Sequence, residues 1–147
     1  MKTNFSHYQD VFDYIKSNDK SAKPIIVVLL GTNWSPICKY SFHALKELVD
    51  DPEYGPRVQP FFINQDSHED AKFCHSEDIP IGFPVLLIFV NSYLTRFTPR
   101  GSSFDPSHSE QKTRLVCQLN LTKLKKLVDG AIAILNEQAS TIVYDDY

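Results

Sequence analysis

Pro24-Ile25-Ile26-Val27-Val28-Leu29-Leu30-Gly31-Thr32-Asn33-Trp34-Ser35-Pro36-Ile37-Cys38-Lys39 is the stretch of this 147-residue chain on which its fold turns. The first half is apolar at nearly every position, so both faces of the strand it forms need cover. That places the strand in the middle of a sheet sandwiched by helices. The second half opens a helix. Ser35 supplies an N-cap oxygen, and Pro36 takes the first helical position, where its missing N–H costs nothing. Phe42, Leu45, Leu48 and Val49 continue as an apolar stripe, and Asp51-Pro52 with Gly55-Pro56 stops it.

Upstream, Ser6-His7-Tyr8-Gln9 has the capping-box form, and Tyr8, Val11, Phe12 and Ile15 share one face of a helix ending near Ser17-Asn18. Downstream, Val58 to Asn64 reads as a second buried strand. Ser67 opens a short helix carrying Ala71, Phe73 and Cys74, and Val85 to Val90 is a third apolar strand. Asn91-Ser92 turns the chain into Tyr93 to Thr98, an edge strand of a hairpin. Ser102 to His108 is loop-like, and Arg114 to Leu119 fits either a short strand or a helical extension. A last amphipathic helix begins near Thr122 and uses Leu124, Leu127, Val128, Ala131, Ile134 and Leu135.

This order predicts an α/β domain with a mixed sheet of about four strands and helices on both faces. Strands joined through helices run parallel, and the hairpin adds antiparallel pairing. Residues 1–139 form one domain with an insertion at about 102–120, and 140–147 read as a mobile C-terminal tail.

Composition narrows the class. Hydrophobic residues are 42% and charged residues 22%, as in ordinary globular chains. No apolar run approaches the ~20 residues of a membrane span, so no membrane role is expected. A net charge of −3, with no basic stripe beyond Lys123, Lys125 and Lys126, argues against nucleic acid. The start, Met1-Lys2-Thr3-Asn4-Phe5, lacks the apolar core of a secretory signal. Cys38, Cys74 and Cys117 are odd in number and widely spaced, which fits neither a disulfide framework nor a zinc site. Reduced thiols and a cytoplasmic location follow as expectations. His43, five residues after Cys38, and His75, beside Cys74, fall short of four ligands, so no metal and no cofactor are expected.

Two motifs carry a resemblance. Trp34-Ser35-Pro36-Ile37-Cys38-Lys39 resembles the thioredoxin motif W-C-G-P-C-K, with the Trp, the second Cys and the Lys in register. Ile81-Gly82-Phe83-Pro84-Val85-Leu86-Leu87-Ile88-Phe89 looks like the family's stretch that ends in a cis-proline and runs into the next strand. Asn91-Ser92 and Gly101 fall where thioredoxins carry a hairpin turn and a glycine before the last helix. The resemblance covers roughly Ser6 to Gly101 plus the final helix. It implies the thioredoxin fold, with a cis Phe83–Pro84 bond beside Trp34 and Ser35.

The sequence departs from that family at three points. Ser35 stands at the nucleophilic cysteine, Leu29 at the buried carboxylate, and about Pro60 at a basic residue of the next strand. A serine hydroxyl is no disulfide-exchange nucleophile. The departures together imply a thioredoxin-like protein without the redox dithiol, a non-catalytic binding module or a subunit of a larger assembly. Its partner would be another protein or an extended peptide. The alternative is a single-cysteine thiol–disulfide oxidoreductase or isomerase acting through Cys38. A glutathione-dependent protein of the wider superfamily is a third reading that no residue set compels.

The candidate surface comprises Trp34, Ser35, Pro36, Ile37, Lys39, Phe83 and Pro84, with Phe83 offering its backbone to a peptide as the resemblance implies. Ser35 reads as a helix cap, and Cys38 as either a packed side chain or a vestigial reactive thiol. The insertion supplies a second candidate surface, Phe104, Leu115, Val116 and Leu119. These residues either dock a partner or fold back on the domain as an added strand or turn of helix.

Overall fold

The computed structural model describes residues 4–17, 23–67, 82–100 and 113–145. Six aliphatic residues in a row, closed by a glycine, put β1 (Ile25–Gly31) at the sheet centre, where every one of its residues is buried. It pairs in parallel with β2 (Val58–Asn64) and antiparallel with β3 (Val85–Val90). On its far side β3 pairs with β4 (Tyr93–Leu94) near one end and with β6 (Leu115–Val116) near the other. The sheet order is β2-β1-β3-β4, a mixed sheet as expected.

The period of two along these strands makes two cores. Ile25, Val27 and Leu29 of β1 face the same side as Leu86, Ile88 and Val90 of β3, and there α2 (Pro36–Asp50) and α3 (Leu121–Leu135) cover them. Ile26, Val28 and Leu30 face the other side with Phe61, Ile63, Leu87 and Phe89, and α1 (Tyr8–Lys16) inserts Val11 among them. Each such side chain, moved fully out of water, stabilises the fold by roughly 1.5–3 kcal/mol.

Local chemistry sets the helix ends. Ser35 caps α2, and Asp51, preceding Pro52, leaves the helix in an extended conformation. Glu53 N–H donates to the Asp51 carboxylate at 2.8 Å, and this bond, with Lys125 3.1 Å from the other oxygen, holds its pKa below the usual value. That contact ties the end of α2 to α3. Asn120 caps α3 by accepting from Lys123 N–H at 2.8 Å, so the helix starts at Leu121.

Three expectations are corrected here. The box that opens α1 is shifted by one residue: His7 is the N-cap, and its N–H donates to Asp10 at 2.9 Å. Asp10 carries the carboxylate that Gln9 lacks. The hairpin strand does not run on to Thr98. The N–H and hydroxyl of Thr95 both donate to Ile88 O, at 2.9 and 2.7 Å, which ends pairing after Leu94. The chain then leaves as β5 (Phe97–Pro99). Nor is the C-terminus loose as far as Tyr144. β7 (Ile142–Tyr144) pairs in parallel with β5, and its alternate residues Ile142 and Tyr144 are buried.

The second half of the insertion folds back as β6, with Leu115 and Leu119 in the core. Those two residues are therefore not free to dock a partner. Among the described docking candidates, Val116, 42% exposed, remains open to solvent. The helix expected from Ser67 through Cys74, together with His75, Gly101 and Phe104, falls beyond the described residues apart from Ser67 itself.

Candidate functional site

The C-terminal ends of β1 and β2 and the entry to β3 meet at one edge of the sheet. β1 delivers Thr32 to Ser35 and the start of α2, β2 delivers Gln65 and Asp66, and Gly82 to Pro84 lead into β3. Gly31, the last residue of β1, packs under α2. A Cβ there would lie 2.7 Å from the Phe42 ring and 2.9 Å from Cys38 Sγ, so the close approach of helix to strand requires glycine.

Gly82 is the centre of the site. Its φ of +102° lies where side chains are strained, and a Cβ would sit 2.8 Å from the Trp34 ring. Its carbonyl accepts a 2.6 Å bond from the Ser35 hydroxyl and a 3.4 Å bond from the Cys38 thiol. The Ser35 oxygen accepts in turn from Cys38 N–H at 3.5 Å, closing the helix cap. Ser35 is 4% exposed and Cys38 is fully buried. Two groups thus converge on one carbonyl at the start of α2.

The aromatic residues lie outside this sealed centre. Trp34 is 61% exposed and its indole N–H donates to Asp66 at 3.1 Å. Phe83 and Tyr40 are also exposed, as are Pro36 and Lys39, whereas Ile37 is half-buried and Pro84 buried. A groove of about 620 Å³ runs from Ile37 and Phe83 past Val116 and Cys117 to Lys123. Burial raises the Cys117 pKa, and Lys123 opposes that only in part. Among the described residues that line this groove there is no carboxylate. His43 stands off the site and pairs with Glu47 at 3.0 Å.

The site therefore gathers Trp34, Ser35, Cys38, Phe83 and Pro84 as one unit. Its details depart from expectation at Pro84. No peptide bond among the described residues is cis, and Phe83–Pro84 is trans. The positive φ of Gly82 turns the chain instead, and trans is the lower-energy form by about 0.5–1 kcal/mol. The backbone of Phe83 was expected to be offered to a peptide; its carbonyl accepts a 2.7 Å bond from Gln65. Gln65, Asp66, Gly82 and Tyr40 were absent from the expected set. The signal for the first two was available: polar residues directly after an apolar strand whose parallel neighbour ends at Trp34-Ser35.

No protein-family model matches the sequence, and no curated protein matches it. Solved structures do. The chain is similar to a mutant thioredoxin from Halobacterium salinarum NRC-1, at 14% identity and a TM-score of 0.55, over 85% of this chain and 86% of that one. It also aligns with Trxlp from Edwardsiella tarda EIB202, at 18% identity and a TM-score of 0.46, over 61% and 80% of the two chains. A thioredoxin from Thermus thermophilus aligns at 12% identity and a TM-score of 0.46, over 95% and 92%. The first of these, with the sheet order above, establishes the thioredoxin fold.

Proposed function

We propose that this thioredoxin-fold chain is a binding module that holds another protein, or an extended peptide of one, without thiol–disulfide chemistry. One observation carries the reading. At the helix start where exchange would need an exposed thiolate, the outer group is the Ser35 hydroxyl, bonded to Gly82 O, and the sulfur behind it is fully buried. Disulfide exchange needs a thiolate with access to the target sulfur. Leu29, fully buried within β1, has no proton to relay.

The surface around that centre suits contact. Trp34 and Phe83 present large exposed aromatic faces, the residue type that anchors interfaces. Val116 extends this surface along the groove. The widely spaced thiols fit the reducing cytoplasm.

A reductase assay tests the reading. With insulin or a model disulfide as substrate and thioredoxin reductase or glutathione as donor, turnover is expected at the background of free thiol. Catalytic turnover lost in Cys38→Ala would instead establish the single-cysteine enzyme. Affinity capture with Trp34→Ala and Phe83→Ala as controls then identifies the partner.

A further inference from the structure

We propose that Gln65 is the positioning residue of this site, the group that holds the Gly82–Phe83 turn so that Cys38 stays sealed and Phe83 stays on display. Gln65 follows the last residue of β2, and its N–H donates to Gly31 O at 2.9 Å, which fastens it to the end of β1. Its side chain is bound at both ends. Oε1 accepts from Gly82 N–H at 3.1 Å and Nε2 donates to Phe83 O at 2.7 Å. The residue is 5% exposed and Gly82 is buried, so the Gln65 amide and the Gly82 N–H would be left unmet if the pair broke.

The consequence runs through Gly82. Glycine at φ +102° has no side chain to define its conformation, and its carbonyl is the acceptor for both Ser35 and Cys38. The Gln65 amide fixes the peptide groups on either side of that turn and so aims the carbonyl. The rigid β1–β2 ladder thus reaches the thiol through a single side chain. It also engages the Phe83 carbonyl from within the chain, which leaves the Phe83 and Trp34 side chains as the surface a partner reads. This deepens the binding-module reading, and only the statement about partners rests on it.

Two variants of the full chain test the role. Gln65→Met keeps the size and removes both bonds. Gln65→Glu keeps the acceptor toward Gly82 N–H and, at neutral pH, loses the donor toward Phe83 O. The readouts are alkylation of Cys38, located by peptide mapping, and hydrogen exchange of the Gly82 amide. Both rates are expected to rise about tenfold or more in Gln65→Met, and Cys38 alkylation to rise in Gln65→Glu, while the Val27 and Leu29 amides stay within about twofold of wild type. Unchanged rates in folded Gln65→Met overturn the proposal. So does a rise shared by Val27 and Leu29, which would make Gln65 a general stability residue. If Gln65→Met does not fold, Gln65→Glu decides by the same rates, and failure of both to fold overturns the positioning role. No partner or reductase enters the test, so its failure leaves the binding-module reading standing, and reductase turnover would defeat that reading without touching Gln65.

Discussion

The Ser35 hydroxyl donates to the carbonyl of Gly82 at 2.6 Å, although the two residues are 47 positions apart in the chain. The same carbonyl takes the Cys38 thiol, so one acceptor serves both polar groups at the helix start. Replacing the hydroxyl by a thiol changes the chemistry with little change of shape. Residues at the N-cap and three positions on lie about 5 Å apart at Cα, within disulfide range. Ser35→Cys is expected to form a disulfide with Cys38 on mild oxidation and to reduce insulin only weakly, because Leu29 provides no proton relay. Mass analysis before and after alkylation checks the bond. Two free thiols after oxidation would refute the alignment of this motif.

Gly82→Ala is expected to destabilise the protein by about 1–3 kcal/mol, from the cost of a non-glycine residue at positive φ. The added Cβ would also press on the Trp34 ring. Trp34 is the one tryptophan of the chain, so its fluorescence reports the shift directly. Denaturant unfolding measures the stability, and an unchanged midpoint would mean the turn relaxes without strain.

Leu119 and Val116 separate folding from binding within the insertion. Leu119 is 2% exposed, and Leu119→Ala is expected to cost about 2–5 kcal/mol. Val116 is 42% exposed on the groove, and Val116→Ala is expected to change stability by less than about 1 kcal/mol while weakening partner capture. Replacing residues 102–112 by a short Gly/Ser linker leaves β6 in place and tests the polar half of the insertion by itself. Thermal melts and capture assays read each outcome.

Tyr54 gives an alkaline signature. Its phenol donates to Asp129 at 2.9 Å, and ionisation would set two anions together, so its pKa is pushed up to about 12 from an ordinary 10. A folded pKa above the unfolded one contributes stability in full below pH 10 and loses it as pH rises from 10 through 12. The group is partly exposed, so Tyr54→Phe is expected to cost only about 0.5–1 kcal/mol near neutral pH. The variant should also show a shallower loss of stability above pH 10 than wild type. Urea midpoints across that range check it, and parallel curves would rule the contribution out.

Much of the fold was legible because the signals are local. A strand apolar on both faces belongs in the middle of a sheet whatever surrounds it, and Ser35-Pro36 starts a helix through its own backbone chemistry. The motif around Trp34 and Cys38 marks the sheet edge at which the site lies. Tertiary structure decided what local pattern leaves open. Leu115, Leu119, Ile142 and Tyr144 sit in short segments whose apolar residues fit a core or an interface equally well, and only the sheet and helix surfaces they meet make them core. The site's wiring has the same origin. Gln65 is one polar residue after a strand until the fold brings Gly82 within 3.1 Å of its amide. Sequence by itself determined which segments must be buried and that a serine, Ser35, stands directly before the proline that opens α2. Where each segment found its cover, and which groups close over Cys38, depended on contacts between residues far apart in the chain, whose pairing no local pattern encodes.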